Sequence, residues 1–173
     1  MALQTKIFNG TTGSTYWTWK IEVIEQSTDE DNNTSLITIK SYLGRKSSAG
    51  ASYFAGTATF NYGAGGQTYS ESKSFNTTNV GAGAFVLVGS HNFNVVHTTE
   101  PITITASGSM SNATFSPTTA SASGSMTLTE IVQGIFRLGD TTWKKATAYL
   151  GVNGVWKKCK AYLGVNGSWK KGV

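Results

Sequence analysis

The sequence has one cysteine, two histidines, two prolines and only 13% charged residues in 173 positions. Each scarcity closes off a class of protein. Cys159 has no partner for an intramolecular disulfide, and one thiol with His91 and His97 cannot build the usual structural zinc sets. Stability must come from a packed core or from subunit contacts. No stretch approaches the ~18 consecutive apolar residues of a membrane helix. The opening Met1-Ala2-Leu3-Gln4-Thr5-Lys6 lacks the apolar region of a secretory signal. The expectation is synthesis in a cytoplasm with no signal peptide and no membrane insertion.

Groups for chemistry are equally sparse. Catalysis by proton transfer or nucleophilic attack needs titratable side chains that converge. His91 and His97 lie six residues apart, about 20 Å along an extended strand. Glu71, Glu100 and Glu130 are scattered. No Gly-x-Ser-x-Gly elbow, phosphate-binding loop or His-Glu-x-x-His occurs. Asp29, Asp31 and Asn33 alternate in an acidic tip, but a calcium loop's turn glycine and distal glutamate are missing. The expectation is a non-enzymatic protein with no catalytic residues, metal or cofactor.

What fills the chain is Ser, Thr, Asn and 20 Gly, with 39% apolar and 12% aromatic residues, a composition of β-rich proteins. Residues 16–26 place Trp17, Trp19, Ile21 and Val23 on one face and Thr18, Lys20 and Glu22 on the other, the alternation of a half-buried strand. Residues 36–43 alternate again, which predicts a hairpin whose polar tip spans 27–35. Further strands are predicted over 52–62, 67–75, 84–96, 102–110 and 123–132, separated by Gly, Ser, Asn or Thr clusters. Ala-Ser-Gly-Ser-Met occurs at 106–110 and again at 122–126. The segment 111–121, which contains Pro117, reads as a crossing loop. The prediction is an all-β chain: an antiparallel β-sandwich of immunoglobulin-like or jelly-roll type over 1–132, then a basic tail over 133–173.

The tail is a repeat. Trp143-Lys144-Lys145, Trp156-Lys157-Lys158 and Trp169-Lys170-Lys171 recur every 13 residues, as do Ala148 to Gly154 and Ala161 to Gly167. From Arg137 onward eight Lys or Arg stand against Asp140, net +7, while residues 1–136 carry net −2. Asn-Gly between alternating segments is the strongest short-range signal for a two-residue hairpin turn. A turn at Asn153-Gly154 pairs Val152 with Val155, Gly151 with Trp156 and Tyr149 with Lys158. Counting outward along unbroken strands of about eleven residues, a β-meander, Lys145 meets Tyr162 and Trp143 meets Gly164. At Asn166-Gly167 the same rule pairs Gly164 with Trp169. The expected interaction face therefore holds Trp143, Lys145, Tyr149, Trp156, Lys158, Tyr162, Trp169 and Lys171.

Two regions carry a resemblance. One is Val95-Val96-His97-Thr98-Thr99-Glu100-Pro101-Ile102-Thr103-Ile104-Thr105-Ala106-Ser107 with the later run from Ser121 to Ile131; the other is the Gly-Val-Asn-Gly-x-Trp-Lys-Lys repeat. Together they resemble minor structural and tail-fibre proteins of tailed bacteriophages that infect Gram-positive bacteria. The resemblance implies a virion component with β-sandwich folds, often oligomeric, used for attachment or assembly, and it implies no catalytic residues. The expected partners are other virion proteins and further copies of the chain, a trimer included, with a cell-surface glycan or teichoic acid as a ligand of the tail. Nucleic acid is not expected. Capsid decoration and glycan or polyanion binding are the alternative roles.

Overall fold

The structure, a computed structural model, describes residues 2–46, 55–78, 80–98, 101–113 and 116–131 in full. Beyond residue 131 it describes the backbone of six short strands. The chain forms two compact units, Met1–Glu130 and Ile131–Val173. All regular structure in the described residues is β, as composition and alternation predict.

Unit 1 is built from eight strands: β1 (Gln4–Gly10), β2 (Trp17–Asp29), β3 (Thr34–Arg45), β4 (Ala55–Ala64), β5 (Gln67–Asn76), β6 (Phe85–Val96), β7 (Thr103–Ser111) and β8 (Thr119–Thr127). They form two four-stranded antiparallel sheets, ordered β1-β2-β3-β6 and β5-β4-β7-β8. The predicted face of β2 is the core face. Trp17, Trp19, Ile21 and Val23 are all buried, against Ile37, Ile39 and Leu43 of β3 and Phe60, Tyr62, Ile104 and Met110 of the opposite sheet. Each such side chain contributes roughly 1.5–3 kcal/mol by leaving water.

The Ala-Ser-Gly-Ser-Met repeat has a packing reason. Both copies run in neighbouring strands, with Ala106 opposite Gly124 and Gly108 opposite Ala122. A Cβ on Gly108 would lie 2.7 Å from Ile21 Cγ2, and one on Gly124 would lie 2.1 Å from the Phe8 ring. Large side chains of β1 and β2 thus rest on bare backbone of β7 and β8. Trp19 Nε1 donates to the Gly108 carbonyl across this contact, at 3.1 Å.

Three expectations change. The strand β1 was not predicted from the sequence; it is held at the edge of its sheet by pairing with β2 and by contacts to β8. The β2–β3 hairpin extends into the polar run, so the turn is confined to residues 30–33. Ser and Thr tolerate extended backbone, and a bulge beside Gln26 keeps the ladder in step. The segment 111–121 is not a crossing loop. β8 begins at Thr119 and pairs directly with β7, the link containing a cis Ser116-Pro117 bond closed by Asn112 N to Thr118 O at 2.9 Å.

One side of the sandwich is sealed. Thr11 and Ser121 exchange backbone hydrogen bonds of 2.9 and 3.0 Å, and Gln4 Nε2 donates to the Thr127 carbonyl at 2.8 Å. β5 and β6 lie at the opposite edges of the two sheets. There Gln67 Nε2 donates to the Asn94 carbonyl at 2.7 Å, and β6 carries a bulge between the pairs Ser41–Gly89 and Tyr42–Leu87. Both devices blunt an edge that would otherwise invite further strands.

Candidate functional site

Beyond unit 1 the described strands are β9 (Ile135–Arg137), β10 (Trp143–Lys145), β11 (Tyr149–Val152), β12 (Val155–Lys158), β13 (Tyr162–Val165) and β14 (Ser168–Lys171), and the predicted interaction residues all fall on β10 to β14. The described pairings are three two-stranded antiparallel ladders: β9 with β10, β11 with β12, β13 with β14. Both Asn-Gly turns, Asn153-Gly154 and Asn166-Gly167, lie outside the described residues.

The register around the first turn is the one counted from sequence. Val152 pairs with Val155, Gly151 with Trp156 and Tyr149 with Lys158. In the next ladder Gly164 pairs with Trp169 and Tyr162 with Lys171. The same two rows, Gly–Trp and Tyr–Lys, therefore occur twice at a spacing of 13 residues. Directly opposed residues of an antiparallel pair share a face.

Further out the described partners differ. Trp143 pairs with Arg137 and Lys145 with Ile135, so neither Lys145–Tyr162 nor Trp143–Gly164 is among the described pairs. Residues 146–148 and 159–161, through which the predicted eleven-residue strands of the meander would run, lie outside the described residues.

Comparison of the chain with protein-family models, with curated proteins and with solved structures gave no match. Function is therefore argued from these residues and their placement.

Unit 1 holds a polar cluster that the sequence reading missed. Glu25 is fully buried. Its carboxylate accepts from Gln4 Nε2 at 2.6 Å, Ser35 Oγ at 2.8 Å, Thr129 N at 3.0 Å and Thr129 Oγ1 at 2.8 Å. Ser35 Oγ also lies 2.8 Å from Nε2 of the buried His97. Asn33, at φ 54°, accepts His97 N–H at its carbonyl at 2.8 Å and donates its Nδ2 to the His97 carbonyl at 2.5 Å. Burial alone would raise the Glu25 carboxyl; the Gln4, Thr129 and Ser35 donors outweigh it and hold the carboxyl below its ordinary value. The signal was readable, because Glu25 continues the inward phase of Trp17, Trp19, Ile21 and Val23.

At the β5–β6 side Tyr69 stacks on His91, ring centroids 3.6 Å apart and planes within 8°, with Phe93 edge-on to His91 at 4.8 Å. His91 and His97 thus serve separate neighbourhoods. Glu71 stands 3.6 Å from Lys73. Burial, with the Glu71 charge, pushes the Tyr62 hydroxyl far above its ordinary pKa, so it remains a phenol. Tyr62 Oη and Ser41 Oγ are both buried, and Ser41 partly offsets the rise of the Tyr62 hydroxyl.

The acidic tip is a turn. Asp29 Oδ1 accepts the backbone N–H of Asp31 at 2.9 Å and of Asn32 at 3.1 Å, and Oδ2 accepts Asn32 Nδ2 at 2.6 Å. These bonds reproduce the side-chain closure by which Asp favours turns. Among the described residues no three His, Cys, Asp or Glu side chains gather where one metal ion would sit.

Proposed function

We propose that the chain is a non-enzymatic structural protein of a bacteriophage particle, a tail, fibre or attachment component, that assembles with further copies or docks on another virion protein through its C-terminal repeat. The fold proposed with this role is a sandwich of immunoglobulin-like or jelly-roll type followed by a β-meander of 13-residue repeats. The observation that carries the reading is the twofold occurrence of the Gly–Trp and Tyr–Lys rows in identical register.

The physical support is the aromatic content of the repeat. Tryptophan and tyrosine recur on the described strands at the same 13-residue spacing. A tryptophan entering a protein contact removes roughly 150 Å² from water, worth on the order of 4 kcal/mol before ordering costs. The resemblance adds its own support: its first region covers the end of β6 and most of β7, and its later run covers most of β8, which pairs with β7.

Trp156→Ala tests the role. Light scattering of the purified variant is expected to show dissociation of the assembly formed by the parent chain. A variant with the parent's mass removes the repeat from assembly.

A further inference from the structure

Segments far apart in the sequence bring an amide and an alcohol to one buried carboxylate. Gln4, in β1, and Thr129, just beyond β8, donate to the same oxygen of Glu25, Oε2, the amide Nε2 at 2.6 Å and the hydroxyl Oγ1 at 2.8 Å. Ser35 Oγ takes the other oxygen at 2.8 Å. The pair is also held from outside the carboxylate's side chain: Gln4 Nε2 donates to the Thr127 carbonyl at 2.8 Å, and the Thr129 backbone N–H reaches Oε2 at 3.0 Å. Glu25 itself is fully buried.

A carboxylate in hydrogen-bond contact with a hydroxyl is the arrangement that activates an alcohol as a nucleophile. A primary amide beside it is an acyl group whose leaving group, once protonated, is ammonia. We infer that unit 1 crosslinks itself once: Thr129 Oγ1 attacks Cδ of Gln4 with Glu25 as general base, leaving a side-chain ester between β1 and the segment after β8. The balance closes within the protein. The Thr129 hydroxyl proton passes to Glu25 Oε2, the Oγ1–Cδ bond forms, the Cδ–Nε2 bond breaks, and Glu25 returns the proton to the departing nitrogen. One oxygen, Oε2, already touches both the atom that gives the proton and the atom that receives it. Glu25 ends as a carboxylate, with Ser35 and the Thr129 N–H still on it. Fixing the two groups at one atom replaces a slow bimolecular exchange with an intramolecular one, an advantage of about 10⁵ M or more in effective concentration when the geometry is good. Thr129 is exposed, so ammonia escapes to water and its dilution draws the reaction forward.

The placement gives the bond a use. β1 is an edge strand, and Thr129 is the residue before the last of unit 1, Glu130. An ester from residue 4 to residue 129 closes nearly all of that unit into a covalent loop, so tension between β1 and the chain beyond residue 130 bypasses the sheets. Loop closure also removes freedom from the unfolded chain. The inference is independent of the assembly reading.

Intact-mass spectrometry of the full chain, after incubation at neutral pH, is the test. The parent chain is expected to be about 17 Da lighter than its sequence mass, the loss of one ammonia on acyl transfer. Its digest should hold one peptide pair, joined through Gln4 and Thr129, that hydroxylamine separates. Thr129→Val keeps the backbone donor and should retain the full mass with an unchanged circular dichroism spectrum. Glu25→Gln should form the bond roughly a hundredfold more slowly. A parent chain at full sequence mass overturns the inference, and so does an ammonia loss that persists in Thr129→Val. Bond formation at the parent's rate in a folded Glu25→Gln overturns the assignment of the base; if that variant does not fold, the parent mass and Thr129→Val decide.

Discussion

Trp19→Ala is expected to lower the stability of the chain by about 4 kcal/mol, read as a fall in the denaturant midpoint followed by tryptophan fluorescence. Trp19 is fully buried near the start of β2, and its ring rests on the glycine-bearing strand β7, where Nε1 donates to Gly108 O at 3.1 Å. Truncation removes the largest fully buried side chain, opens a cavity between the sheets and leaves a buried carbonyl without that donor. A domain of this size has roughly 5–15 kcal/mol in all, so the variant sits near the edge of folding. Trp19→Phe separates the two effects. It keeps most of the ring and loses the donor, and is expected to cost about 1–3 kcal/mol.

Glu25→Ala is expected to cost about 3 kcal/mol by a different route. The carboxylate gathers donors from β1, from β3 and from the segment after β8, through Gln4, Ser35 and Thr129. Alanine leaves Ser35, itself fully buried, without its carboxylate acceptor. The same group sets a pH dependence. Its folded carboxyl is held below the ordinary 4.5, so it binds a proton more weakly folded than unfolded. The stabilisation is fully present above the unfolded value and is lost as pH falls through the folded one. Acid titration of unfolding should therefore show a loss of stability below about pH 4.5 that Glu25→Gln reduces. Equal acid sensitivity in the two proteins would remove Glu25 as its source.

The fold was legible where one physical rule dominates. Alternation of Trp17, Trp19, Ile21 and Val23 fixes a face because a one-residue slip would turn four large apolar side chains into water. The register of Tyr149 to Lys158 was legible because two residues between Val152 and Val155 leave one way to count. Elsewhere the pattern was too weak. β8 buries Ala120, Ala122 and Met126 between serines and threonines, and small residues carry little hydropathy contrast. Its place against β1 rests instead on Gly124, whose missing side chain leaves room for the ring of Phe8. β1 puts Ile7 outward at 55% exposure beside the half-buried Phe8, so its own sequence names no core face. Its place comes from tertiary bonds at Thr11 and Gln4. The sequence placed Glu25 on the apolar face of β2, but its partners lie 10, 21 and 104 residues away, beyond any local pattern.

For the site, the residue types and the two repeated rows were legible. The predicted continuation of the strands beyond those rows runs through residues outside the described ones, and the described partners of Trp143 and Lys145 belong to β9. What recurs is the pairing of glycine with tryptophan and of tyrosine with lysine. A pairing repeated in this way favours binding by many copies of one contact, each modest alone and strong when several engage together.

Sedimentation equilibrium of the unaltered chain over a range of concentrations addresses the central claim most directly. The account predicts a mass well above the 18.4 kDa of one chain, a trimer being the proposed form, and a shift toward the single-chain mass on dilution. A mass of 18.4 kDa at every concentration, in low and high salt alike, would contradict it.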